Sequence, residues 1–198
     1  MYSGFPGILQ KFIAITFIGL VGVSLSLSQK SKSKYHIFKR GILIFSLGLI
    51  LTLLSYIFVK DSTIYFGILH LIGISIIISI PLLKYLKLNI IIAILILILS
   101  KLFSSTIIKS NWLLPFGIHS YSFKTLDYFP LFPWFSVVLI GICIGKLIYN
   151  QNRNFRFINE PNLLIFKKLK FLGNNSLIIY LLHQPIIIAI LYIIKIIK

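Results

Sequence analysis

His70 and His183 each stand inside an apolar run long enough to cross a bilayer, and an ionisable ring in hydrocarbon marks a candidate site for chemistry. A neutral imidazole, with an ordinary pKa of about 6.5, can accept a proton or act as a nucleophile without placing a permanent charge in lipid. His70 has Gly67 and Gly73 three residues to either side, near the same helix face, so bare backbone flanks the ring. That arrangement admits a ligand or a closely packed neighbouring helix equally well. His183 continues a polar stripe begun by Ser176 and Tyr180, spaced by four and three, just before Pro185 and beside the amide of Gln184. The stripe should face a bundle interior, for chemistry or for interhelical hydrogen bonds worth roughly 0.6 to 2 kcal/mol each. Two histidines are too few to hold a metal, and the single cysteine, Cys143, offers neither a ligand cluster nor a disulfide.

The elements that carry these rings are transmembrane helices. Of 198 residues, 58% are hydrophobic and 12% charged, where an average soluble domain has about 25% charged residues, so the chain is expected to be an all-α polytopic bundle. A core about 30 Å thick needs about 20 apolar residues at 1.5 Å each. Cutting at charges yields six candidate spans in one transmembrane domain over 1–198, at about 8–28, 41–59, 62–83, 88–108, 128–148 and 172–194. The fourth must accommodate Lys101 by letting its stem reach the interface. Met1–Gln10 lacks the basic region of a signal peptide, so the first span is expected to stay.

The net charge of +17 would suggest nucleic acid in a soluble protein, but here the basic residues punctuate apolar runs and read as topology and lipid contact. Placing the connection after span one in the cytoplasm puts thirteen of the 20 Lys and Arg inside. Eight helical residues from Ser62 then bury His70 about 12 Å below the outer face, and eleven from Leu172 leave His183 about 14 Å below it. The two rings are therefore expected at one level. Gly141 with Gly145, and Gly22 with Ser26, are small residues four apart that suit close helix contact.

Two further groups of residues stand outside the spans. The outer connection from Lys109 to Phe135 is rich in aromatics and proline, so it is expected to lie on the membrane or dip back into the bundle. Asp127 and His119 are its titratable groups: the first can cap span five, pair with Lys124 or serve the site, and the second reads as a solvated side chain. On the inner side, Lys30 to Arg40 and Lys167 to Lys170 can bind phosphates, although positive-inside sorting produces the same pattern. Arg40, beside Gly41 at the expected mouth of span two, is the best-placed phosphate ligand.

Three stretches together resemble the heparan-α-glucosaminide N-acetyltransferase catalytic-domain family. They are Ile64-Tyr65-Phe66-Gly67-Ile68-Leu69-His70-Leu71-Ile72-Gly73, Leu126-Asp127-Tyr128-Phe129-Pro130-Leu131-Phe132-Pro133-Trp134 and Asn175-Ser176-Leu177-Ile178-Ile179-Tyr180-Leu181-Leu182-His183-Gln184-Pro185. The likeness runs from about Phe17 to the C-terminus. It implies an acetyltransferase of the cell membrane that moves an acetyl group from cytosolic acetyl-CoA to an amine or hydroxyl of a sugar-like acceptor on the other face. On that reading His70 and His183 are expected to line the transfer site, one of them acting as base, with Asp127 orienting or gating from outside and Arg40 as the cofactor ligand. Family members usually begin with a further span bearing an acidic residue, an Arg-Gly pair and the histidine assigned to acetyl transfer; on this resemblance the chain is expected to start after that segment, and no residue here is expected to inherit that histidine's role. A small transporter or channel, or a non-catalytic membrane subunit, are the competing expectations.

Overall fold

The computed structural model describes residues 5–59, 62–103, 113–120, 123 and 125–150, with 168, 171, 173, 175, 178, 179, 181, 182, 186 and 190 of the C-terminal part. The chain divides into two compact units, Met1–Asn152 and Arg153–Lys198. Five α-helices build the first: α1 (Phe5–Ser31), α2 (Lys34–Phe58), α3 (Ile68–Leu82), α4 (Leu86–Phe103) and α5 (Leu131–Asn150). In the second, the described residues are mostly helical, with Ile179 N–H donating to the Asn175 carbonyl at 3.0 Å and Asn175 N–H to Phe171 at 3.1 Å. The expected sixth span, and with it Ser176, Tyr180, His183 and Gln184, falls largely or wholly outside the described residues.

Helix is the physical consequence of these compositions, since a backbone without water must satisfy its polar groups within its own segment. Four of the helices, represented by Gly7–Gln29, Lys34–Phe58, Leu86–Phe103 and Leu131–Ile148, are long and apolar enough to span a bilayer. Exposed large side chains confirm where lipid belongs: Ile91, Ile94, Leu95, Ile98 and Leu102 form an open apolar face on α4 that a water-soluble protein would have to cover. Lys101 lies exposed in the last turn of α4, at the end of the span, as its long stem requires. The molecule is a membrane-embedded helical bundle.

Helix bounds differ from the sequence-based spans in two informative places. The third helix starts at Ile68 rather than near Ser62, because residues 62–67 leave the helix and use their backbone groups on neighbours. The second starts at Lys34, capped by Ser33, whose hydroxyl accepts from His36 N–H at 3.4 Å. Arg40 therefore sits six residues inside α2 and not at its mouth.

Apolar burial drives no helix association in lipid, so close backbone approach has to do it. At α1 and α5 the two small-residue pairs meet each other: a Cβ on Gly22 would lie 2.9 Å from Gly141 Cα and 2.8 Å from Ile142 N, and one on Gly145 would lie 3.1 Å from Ser26 Cβ. At α2 and α3, Gly73 lies so close to Phe45 that an added Cβ would be 2.7 Å from its backbone nitrogen, while Gly41 faces Ile77 and Gly48 faces His70. That register makes α2 and α3 antiparallel neighbours. Leu126 N–H donating to the Ser62 carbonyl at 3.2 Å, and Phe129 N–H to Phe66 at 3.0 Å, pin the α4–α5 connection to the α2–α3 connection at the same end.

Candidate functional site

His70 is the third residue of α3 and only 3% exposed. Its Nδ1 accepts the Gly67 N–H at 3.2 Å, which is the backbone donor just ahead of the helix. Because Nδ1 is spent as an acceptor, the neutral ring carries its proton on Nε2, 3.3 Å from Thr52 Oγ1 on α2. Thr52 Oγ1 in turn lies 3.4 Å from the Gly48 carbonyl, to which it donates. Phe45 meets the ring edge-on at 5.5 Å and Phe66 lies tilted at 5.6 Å. The space beside the flanking glycines is thus taken by protein: Gly73 admits α2, and Gly67 admits Asp127.

Asp127 completes the same helix terminus. Its Oδ2 accepts the Ile68 N–H at 3.0 Å, so consecutive backbone donors, Gly67 and Ile68, go to His70 and Asp127. A carboxylate at a helix N-terminus satisfies an orphan donor and faces the positive end of the helix dipole. The capping expected at span five occurs at α3 instead, because residues 126–129 run beside residues 62–66 and the Phe66–Tyr128 bridge sets the register. Lys124 lies outside the described residues. Replacing Asp127 with alanine should strip Ile68 of its acceptor and cost about 1 to 2 kcal/mol, whereas Asp127→Asn keeps an oxygen there and should cost less. Hydrogen exchange at Gly67–His70 is the readout, with faster exchange in the alanine variant.

The descent of His70 has to be counted along α2, since residues 62–67 are not helical. Thr52 stands six residues before the C-terminal end of α2 at Phe58, which sets the ring about 9 Å from that end. The common level expected for His70 and His183 stays an expectation, because His183 is outside the described residues. Arg40 lies at the other end of the α2–α3 pair: Gly41 packs on Ile77 while Gly48 packs on His70, about 12 Å of helix between Arg40 and Gly48. It is exposed, on the same two turns as Lys34 and Lys39, and Lys39 Nζ sits 4.8 Å from the Tyr35 ring centroid.

Above α3 the connection forms an aromatic cluster. Phe123 lies 5.9 Å from Tyr65 and 5.2 Å from Tyr128, and His119 packs on both Phe123 at 5.6 Å and Tyr128 at 5.8 Å. The Tyr128 hydroxyl donates to the Leu114 carbonyl at 2.8 Å, and burial pushes its pKa up to about 12, so it remains a donor. Among the described residues no group of three or more metal-ligating side chains occurs.

Sequence reasoning missed Thr52, Gly48 and Ser55, which build the socket from α2. The signal existed: Gly41, Gly48, Thr52 and Ser55 are spaced by seven, four and three, a small and polar stripe in an otherwise aliphatic helix. Ser55 Oγ accepts the Ile64 N–H at 3.0 Å, tying the non-helical segment before α3 to α2.

No curated protein sequence and no solved structure matches the chain. The family model described as heparan-alpha-glucosaminide N-acetyltransferase, catalytic, matches residues 1–185, and the chain belongs to that family.

Proposed function

We propose that the protein transfers an acetyl group from cytosolic acetyl-CoA, through the bundle, to an amine or hydroxyl of a sugar-like acceptor at the outer face of the cell membrane. The family match over 1–185 carries this reading, and the stacking of two ends of different character along α2 and α3 supports it. At the inner end, Lys34, Lys39 and Arg40 project exposed cations from the first turns of α2, which fits the phosphates of the acyl donor. Toward the other end, His70 and Asp127 hold the N-terminus of α3 as one wall of the transfer site. The Tyr65, Phe123 and Tyr128 rings present apolar faces to an acceptor.

Acetyl-CoA brings an activated thioester; the protein's own residues have to bind it, orient the acceptor, exclude water and take the proton the acceptor loses. A transport role would require a path open to both ends. A non-catalytic subunit is the second reading, favoured by one observation: both nitrogens of His70 are engaged by protein. Proteoliposomes supplied with acetyl-CoA on the side of Arg40 and with amino sugars on the opposite side decide between them. Release of free thiol coupled to acetylated acceptor is expected. Donor and acceptor both unchanged would leave the subunit reading standing.

A further inference from the structure

Ser75 and Ser79 on α3 and Asn89 on α4 have no exposed surface, yet Ser75 Oγ, Ser79 Oγ and Asn89 Oδ1 are without a hydrogen-bond partner among the described residues. Buried polar atoms left in that condition are rare in folded proteins, and each calls for a cause. A helical serine commonly gives its proton to a carbonyl three or four residues back, as buried Ser26, Ser55 and Ser136 do toward Val23, Thr52 and Pro133. Ser75 and Ser79 do not. Their hydroxyls are left for a partner outside their own helix.

The three atoms fall on one line. Gly73 packs on Phe45 of α2, and Ser75 and Ser79 follow it by about 200° and 240° around the helix, so both face away from α2. Leu82 comes three residues after Ser79 on that same face, and Asn89 Nδ2 donates to its carbonyl at 3.1 Å, which sets Asn89 at the end of a line about 10 Å long. The line runs along the loosest seam of this unit. The α2–α3 pair packs closely, and α5 packs closely on α1 and α4, whereas α3 meets α1, α4 and α5 only sparsely. Where α3 begins, the seam is pinned by Leu126 N–H on the Ser62 carbonyl, Phe129 N–H on Phe66 and Ile68 N–H on Asp127. Where α3 ends, Pro81 lies inside the helix and brings no N–H to the Ile77 carbonyl. The chain then turns through exposed Lys84, Tyr85 and Lys87 into α4.

We propose that the α2–α3 pair rocks against the α1–α4–α5 layer about the pinned end, and that water enters along Ser75, Ser79 and Asn89 from the end where α3 stops. In the packed state the three atoms forgo their hydrogen bonds; in the parted state water supplies them, so the polar line narrows the gap between the two states. Aliphatic side chains at these positions would hold the seam shut. The gate follows from packing and hydrogen bonding within this unit, and it stands or falls separately from acetyl transfer.

Cysteine reactivity tests it without any turnover. In a Cys143→Ala background, Ser75→Cys and Ser79→Cys are treated in detergent with a charged, water-soluble methanethiosulfonate. Lys87→Cys is the exposed reference, and Val138→Cys, fully buried on α5, is the closed one. An open state populated at roughly 0.1 to 10% slows labelling by about 10- to 1,000-fold, so both serine-site thiols should react within about 1,000-fold of Lys87→Cys. Val138→Cys should react at least about tenfold more slowly than either. Equal protection of the serine-site thiols and Val138→Cys overturns the proposal. Ser75→Ala, which removes one orphan and leaves the shape nearly unchanged, should slow labelling of Ser79→Cys by about fivefold or more. Ser136→Ala, whose hydroxyl is already bonded, should not slow it. Unchanged or faster labelling of Ser79→Cys in the Ser75→Ala chain overturns the role given to the polar line.

Discussion

His70→Leu is expected to destabilise the end of the bundle where α3 begins, whereas His70→Gln is expected to leave it nearly intact. Leucine fills much of the space but offers no acceptor to the Gly67 N–H and no partner to Thr52 Oγ1, both satisfied by the ring in the native fold. A buried donor left unpaired costs about 1 to 3 kcal/mol. Glutamine at the third helical position can reach back to the donor ahead of the helix, the geometry of a capping box, and so replaces the more important of the two bonds. Thermal unfolding in detergent should therefore order the variants as wild type, then His70→Gln, then His70→Leu. Turnover of His70→Gln should stay within about tenfold of wild type, since general-base loss would cost about 100-fold or more. A stable His70→Gln with no transfer activity would instead assign a proton-transfer role to His70.

Gly22→Val should be the most damaging single change in the membrane interior. An added Cβ meets the carbonyl of Val138 as well as Ile142 N at 2.8 Å and Gly141 Cα at 2.9 Å. These are backbone atoms of a regular helix and cannot rotate aside, so α1 and α5 must move apart along their whole seam. Overpacking costs typically about 1 to 3 kcal/mol, and lipid gives no gain in apolar burial to offset it, so the loss should reach the upper end or beyond. Unfolding by SDS titration from mixed micelles reads this directly. Gly19→Ala is the control on the same helix, where a Cβ would meet only Val137 Cγ1 at an ordinary 3.9 Å. Equal midpoints for Gly22→Val and wild type would show that the seam does not hold the bundle.

Much of the site's location is legible in the residue order. His70 is marked by its type in an apolar run, Asp127 by being one of three acidic residues in a basic chain, and the two small-residue pairs by their spacing. Their partners are not legible there. Nothing local tells that Gly22 and Ser26 meet Gly141 and Gly145, or that Asp127 caps a helix starting 59 residues earlier rather than the one just after it. His119 illustrates the same limit: in sequence it is a loop histidine among aromatics, and only its contact with the Ser120 carbonyl reveals that Nδ1 carries the proton.

Helix formation in lipid is a local demand, because each apolar run must satisfy its own backbone, and the one-dimensional chain therefore determined the membrane class and most of the helices. What α3 does at its N-terminus was decided in three dimensions. Residues 62–67 are apolar enough to read as helix, yet their amides and carbonyls find Ser55, His70, Phe129 and Leu126 instead. Competition between local helix bonds and long-range partners is settled only when those partners have been brought within about 3 Å, and no spacing along the chain records that.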